Sequence, residues 1–482
     1  MKSPKWFFSI GSLGSVLLAG LGGCASLNTP YAAPHPPADL TLPAANLTTS
    51  PVAFPDRRRN DRAAWWRDLG DPALSTLVER ALAANPRLDI AKARITQAKA
   101  SFAGAQALLA PIGQAGGLAA RGQDSAHSPE GQLLSALRAP LRSDIYLGGI
   151  GVTWESDLFG AVRQGVVARR ALLEAATDVK DAVALGVAAQ TARLYCLVRL
   201  AQQRQMLLKQ QIDVLSRLLQ LANKRHAEGA TSALAARETE AQLQILRLRE
   251  GVLENGHAAA LDALDVLTAQ PLGTSGKLLA ASALLPVAIA PKILASPAEA
   301  LARRPDLKAA ERNVAAAHAG VGVALAGYYP TLSLGGVAGL SSTTTAALFD
   351  DNARVWAGLI EVRWRLLDWK RLNADVAGAK GKEAEALAAY RAAADEAAGE
   401  VDAALFALSC ALSDNRRASD LVQTLIKIEH LADRAATEGA ASRSPFLEAR
   451  LKRLEAEDEV QQTRFEAVAA SIDAYRALAG GE

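Results

Sequence analysis

Aromatic side chains are scarce: Phe, Trp and Tyr make up 5% of a 482-residue chain that is 50% hydrophobic. Alanine fills much of the gap, which suits helices packed closely along small side chains rather than one bulky globular core. Charge of one sign is missing too. Against 53 basic residues stand 50 acidic ones, a formal net of +3, and loss of Lys2 and Lys5 with residues 1–23 leaves +1. A nucleic-acid binder carries a lopsided, clustered charge, so no nucleic-acid partner is expected. Long apolar runs are few, and a mean hydropathy of +0.08 excludes a multi-helix inner-membrane protein. The apolar fraction equally excludes a disordered chain.

Metal- and nucleophile-bearing residues are thin. Methionine occurs only as Met1 and Met206, and the histidines show no HxH or HxxxH pairing. Cys24, Cys196 and Cys410 are too scattered for a structural zinc site. Cys196 and Cys410 sit in apolar helical contexts and read as buried thiols, with a disulfide between them left open. No GxSxG occurs, and Pro271 to Lys277 lacks the spacing of a phosphate loop. No catalytic residue, metal or cofactor is expected, and the chain does not read as an enzyme.

What is present begins with an address. Lys2 and Lys5 precede an apolar run from Trp6 to Leu21, which is too short and too Gly-rich for a spanning helix and reads as a secretory signal over 1–23. Leu21-Gly22-Gly23-Cys24 resembles a bacterial lipobox, which implies a covalent lipid on Cys24. Ala25 stands where an inner-membrane retention signal would place Asp, so the outer membrane is the implied destination. Residues 24–60 are proline-rich without apolar period and read as a lipidated tether rather than a domain.

The remainder is written twice, over 61–282 and 283–482. At one constant offset Pro86 matches Pro305, Leu88 matches Leu307, Pro111 matches Pro330, and Gly116-Gly117 match Gly335-Gly336. Each copy predicts the same order. A helix (about 73–109; 296–328) stops at a proline, and two strand-like runs follow with a polar loop between them. In the second copy Trp356, Gly358, Ile360, Val362, Trp364 and Leu366 alternate with Glu361, Arg363 and Arg365. In the first, Tyr146, Gly148, Ile150, Val152 and Trp154 share a face. Proline is then absent from Pro140 to Pro271 and from Pro330 to Pro445. Helices over about 162–226 and 370–436 are predicted, each ~97 Å long at ~1.5 Å per residue. Gly229 and Gly439 break them, and helices over about 232–267 and 443–478 return. Four amphipathic strands cannot close a barrel alone, so other chains must complete it.

Trp65-Trp66, Asp71-Pro72, Leu74, Leu77, Ala81-Leu82 and Asn85-Pro86 resemble the opening signature of the outer-membrane efflux protein family, in its NodT-type lipoprotein branch. Arg303-Arg304-Pro305-Asp306, Ala310-Glu311, Gly322, Ala324 and Tyr329-Pro330 resemble the second-repeat signature, and Trp154 to Gly160 the strand-to-helix corner of repeat one. At the second corner Asp368-Trp369-Lys370 departs from the family's Asp-Gly-Gly.

The resemblance implies an α+β fold: a homotrimer forming a 12-stranded outer-membrane β-barrel, four strands per chain, continued by a long periplasmic α-helical barrel. It implies the exit duct of a tripartite efflux pump of the resistance-nodulation-division type. The partners implied are a periplasmic adaptor, an inner-membrane pump and outer-membrane lipid. Glu361, Arg363 and Arg365 are then expected to face the lumen, because their apolar neighbours face lipid. Counting nine residues from Gly439, the family's gate carboxylate falls on Glu448. Arg443 and Arg450 lie near enough to pair with it. Ser444 holds the position where some relatives carry an apolar plug, with Phe446 as a substitute. The competing reading is a lipid-anchored periplasmic coiled-coil scaffold or adaptor, but that would carry one helical hairpin rather than two, each behind its own strand pair. Drugs, aromatic acids and metal ions all remain open as cargo, with the lack of His and Met clusters counting against copper or silver.

Overall fold

A computed structural model describes residues 30–34, 62–230, 232–291 and 301–479. The signal and lipidation assignments, Cys24 included, lie outside the described residues.

A short 3-10 segment, Arg62–Leu69, brings in Trp65 and Trp66. Helix α1, Pro72–Ala84, starts where the Asp71 carboxylate accepts from the amides of Ala73 and Leu74 at 2.8 and 3.2 Å. Leu74, Leu77, Val78 and Ala81 form its buried stripe. The single helix expected over 73–109 is in fact two. Asn85 is extended, and Pro86, with no N–H to give, opens α2, Pro86–Ala107. In the second repeat the corresponding helix α7 is Pro305–Ala326, again opened by the proline.

Strand β1 is Ile112–Gln123 and β2 is Arg142–Ser156. The polar loop between them folds into a short helix α3, Pro129–Ala136, capped by Ser128 with Pro129 at its first turn. The first long helix, α4, is Ala161–Ala227, and α5, Ala233–Leu267, returns from it. After the short α6, Thr274–Leu278, the second repeat gives α7, β3 (Thr331–Ser342), β4 (Arg354–Arg363), α8 (Trp369–Thr437) and α9 (Arg443–Ala477). Strand β4 stops at Arg363, short of the predicted Leu366.

The chain divides into two compact units that interleave the repeats. One holds 96–174 and 311–388 with the described part of 1–33, and contains the sheet. Its strands run in the antiparallel order β1-β2-β3-β4, so β2 and β3 join the two repeats. The described piece of the tether belongs here: the Tyr31 hydroxyl donates to the carbonyl and carboxylate of Glu311 at 3.2 and 3.0 Å.

The other unit holds 34–95, 175–310 and 389–482. Trp65, Leu74, Val78, Ala192, Tyr195, Leu264, Val468 and Ile472 share one core, so the return helices of both repeats meet there. Trp65 stacks on Tyr475 with centroids 5.4 Å apart. A second core is built largely of alanine around Leu307, Val401, Leu405 and Leu408, where small side chains let the helices approach. Burial pushes the Cys196 thiol up to about 12, with the nearby Asp71 carboxylate adding to it. Cys410 is exposed, contrary to the expectation of two buried thiols, and both are free. An apolar sequence context on a helix does not say which face a residue takes.

Candidate functional site

The register of the sheet sorts its side chains into two faces, because directly paired residues point the same way. Ile150 pairs with Ala338 and Ala338 with Trp356; Trp154 pairs with Leu334 and Leu334 with Ile360. The apolar sets read from the two repeats therefore share one face across three strands. Nothing among the described residues covers it: Trp356, Ile360 and Val362 are 82%, 72% and 63% exposed. A sheet face this greasy and this bare needs lipid against it.

Glu361 and Arg363 fall on the opposite face and pair with each other at 2.8 Å. Glu155, which the sequence reading passed over, joins them, since it pairs with Ser333 and Ser333 pairs with Glu361. Alternation with Trp154 already sets it on that face, and the cross-strand register sets it level with Glu361. Arg365 is a correction. It lies beyond β4, where the Trp364 indole donates to the Tyr328 carbonyl at 3.0 Å and turns the chain toward α8. Its guanidinium binds Asp368 at 2.6 Å, so it serves the corner rather than the strand face.

The corners repeat with variation. Trp154 donates to the Leu109 carbonyl at 3.0 Å, as Trp364 does to Tyr328. In the first corner the Asp157 carboxylate accepts from the amides of Val162 and Arg163, and Gly160 takes φ +83°. In the second, Trp369 directly follows Asp368 and stacks on Tyr328 with centroids 5.9 Å apart.

Within the helical unit, Gly229 and Gly439 turn the chain with φ of +73° and +77°. Glu448 is exposed on α9 and lines a hollow of about 630 Å³ with Ser444, Arg225, Arg249 and Lys452. The pairing expected from its sequence neighbours is not made within the chain. Arg443 reaches Asp433 at 3.9 Å and lies over the Phe446 ring, while Arg450 has its buried Nε without a hydrogen-bond partner. Phe446 is buried against Val214, Leu447 and Leu454, so in the single chain it packs between helices. Among the described residues no cluster of His, Cys, Asp or Glu suits a metal ion.

Both repeats match the family description of the outer membrane efflux protein, over residues 77–270 and 296–480. The chain belongs to the outer membrane efflux protein family. It is 29% identical to the pyoverdine export outer membrane protein OpmQ of Pseudomonas putida, over 96% of each chain. To nodulation protein T of Rhizobium leguminosarum it is 24% identical, over 80% of this chain and 81% of that one. Among solved structures it is similar to the outer-membrane channel OprN, with a TM-score of 0.76 and 26% identity over 94% of this chain and 98% of that one. These likenesses make it a NodT-type outer membrane efflux protein, placed in the outer membrane of a Gram-negative envelope and extending into the periplasm. Its role is that of an outer-membrane exit duct for efflux.

Proposed function

We propose that three copies of this chain form a passive exit duct, closing their sheets into one 12-stranded barrel in the outer membrane. The observation that carries this is the unfinished sheet. Strands β1 and β4 are its edges, and in lipid an unpaired edge leaves backbone N–H and C=O groups without partners, at several kcal/mol each. A head-to-tail ring pairing β4 of one copy with β1 of the next removes every edge by rotation alone. The lumen then takes the face of Glu155, Glu361 and Arg363, and the long helices continue the conduit through the periplasm. A periplasmic adaptor and an inner-membrane pump load it with drugs or other small toxic compounds. The chain itself carries out no catalysis and needs no cofactor.

The test is assembly and conduction. Unheated outer-membrane fractions should show a trimer band that collapses on boiling, and the purified trimer should conduct in planar bilayers. Monomer bands together with silent bilayers would leave only the scaffold reading. The lipid on Cys24 is tested separately: Cys24→Ser should remove the acyl mass from the mature protein while leaving trimer yield intact, because the cores lie beyond residue 60. A mature protein of unmodified mass in the parent chain would sink the anchor.

A further inference from the structure

The proposed lumen face carries more apolar surface than a water-filled wall requires. Leu118 and Leu147 are directly paired on it, and Val337, Val355 and Leu359 share the face. They are between 40% and 62% exposed. Leu118, Leu147, Val337 and Val355 rim a hollow of about 580 Å³ whose floor is glycine. At its centre the floor cannot be filled. Gly149 and Gly339 pair where two strands cross closely, and a Cβ on Gly149 would sit 2.6 Å from the Ala338 carbonyl oxygen. Lipid cannot explain these residues, because it takes the opposite face. Packing within the chain does not explain them either, since each keeps contact with solvent. Apolar area left in water forgoes about 25 cal/mol per Å² of stabilisation, so an apolar wall gains only when something apolar lies against it.

Charge borders this belt on one side. Toward the strand ends that lead into α4 and α8 stand Glu155, Glu361 and Arg363, and the Glu361–Arg363 pair cancels itself. Glu155 also acts on Arg363, so the three groups together leave one net negative charge per chain. At the opposite end the same face carries Gly122, Ser143 and Ser341, without charge. An apolar hollow beside a surplus carboxylate fits a solute with an apolar body and one positive charge.

We infer that the barrel lumen holds a contact site for amphiphilic organic cations, formed by Leu118, Leu147, Val337, Val355 and Leu359 with Glu155 as counter-charge. The inference rests on the lumen assignment of the proposed duct. Water and small inorganic ions pass the belt without interaction, whereas an amphiphilic cation lingers on it and is handed along the wall.

Three ions separate the contributions in planar bilayers containing the purified trimer. Tetraphenylphosphonium has the apolar body and the charge, tetramethylammonium the charge alone, and tetraphenylborate the same body with the opposite sign. Added on the barrel side, tetraphenylphosphonium should reduce the potassium chloride current at about a tenth of the concentration that tetramethylammonium needs, and more effectively than tetraphenylborate. Leu118→Asn with Leu147→Asn should raise its half-blocking concentration about tenfold, and Glu155→Gln about threefold, each read as a fraction of that variant's own unblocked current. Should the double variant fail to form trimers, Leu359→Asn takes its place. Equal block by all three ions, or block that survives these substitutions in a conducting trimer, overturns the contact site. A wild-type protein that forms no channel overturns the duct reading itself, and the site with it.

Discussion

Asn85 and Arg304 hold the same place in the two repeats, directly before the proline that opens a helix. Both reach back to the end of their own repeat. The Asn85 side-chain amide donates to the Leu267 carbonyl at 2.9 Å, and the Arg304 guanidinium donates to the Ala477 carbonyl at 3.2 Å. Those carbonyls belong to the last turns of α5 and α9, helices of 35 residues each. Each repeat is thus closed by one side chain on an otherwise unpaired helix terminus. The chemistry differs. Asn85 is neutral and 2% exposed, and its side-chain Oδ1 caps α2 by accepting from the Arg87 amide. Arg304 needs company, and it takes Asp306 and Glu400 at 2.7 and 2.8 Å. Burial alone would lower the guanidinium's pKa, but the two carboxylates outweigh it and hold it raised. A duplicated backbone joint has been kept while its side chains diverged. The strands teach the same lesson, since Ile150 and Ile360 are equivalent on the lipid face but the charged pair on the other face exists only in β4.

The largest effect should come where the repeats agree. Ile150→Arg and Ile360→Arg each place a cation on the lipid face, which costs ~2–4 kcal/mol near mid-bilayer. Both should lower the yield of heat-modifiable trimer, and by similar amounts. Arg363→Leu should leave that yield unchanged, because its side chain faces the other way. If Ile360→Arg were tolerated and Ile150→Arg were not, the two strands would not share one environment.

Legibility in the sequence followed the same division. Alternation at Trp356, Ile360 and Val362 was readable because a strand's period of two survives any tertiary context. The repeat could be read from its prolines and glycines, which act through the backbone. Signals that pointed two ways were harder. Asn85-Pro86 was read through as helix, although a proline that cannot continue a helix can always begin one. Ser128-Pro129-Glu130 is an N-cap signal inside a polar, turn-rich stretch whose composition alone predicts a loop. Arg365 fitted the strand's period but not its length, because the Trp364 lock ends the strand first. Glu155 sits opposite Trp154 by the period alone, but its place level with Glu361 needed the register of three strands, which no single strand contains.

Next in size is the charged joint. Arg304→Ala removes the bond to Ala477 and leaves two carboxylates without their cation. Asp306 and Glu400 are partly solvated, so the cost should fall below the ~3–5 kcal/mol of a fully buried pair, at about 2–3 kcal/mol. Thermal unfolding of the purified protein measures it. Acid should act on the same joint. Asp306 is pushed upward by burial, but Arg304 more than reverses this and holds its pKa below the ordinary carboxylate value. Its contribution is therefore present at neutral pH and lost as pH falls through that depressed value. In Arg304→Ala that part of the acid sensitivity should vanish. Asn85→Ala should cost less, about 1–3 kcal/mol, and should bring no change in acid sensitivity. Equal costs and equal pH profiles would mean that the two joints are chemically alike after all.

The smallest expected effect is at the tip, where the repeats again present an equivalent pair. Glu238 stands as far beyond Gly229 as Glu448 beyond Gly439, and both are exposed near the start of a returning helix. Their surroundings distinguish them. Glu448 lines the hollow with Arg225, Arg249 and Lys452, whereas Glu238 does not line it. Three-fold symmetry would bring three copies of each toward one axis, so a single substitution is counted three times in the proposed trimer. Exposed charge pairs contribute ~0.2–1 kcal/mol each and weaken with salt, so Glu448→Ala should raise resting conductance modestly, and less at high ionic strength. Glu238→Ala serves as the control on the same helix turn of the other repeat. If both substitutions raise conductance equally, the effect is one of tip charge in general. If neither does, Glu448 is a solvated helix residue and closure rests on the packing around Phe446.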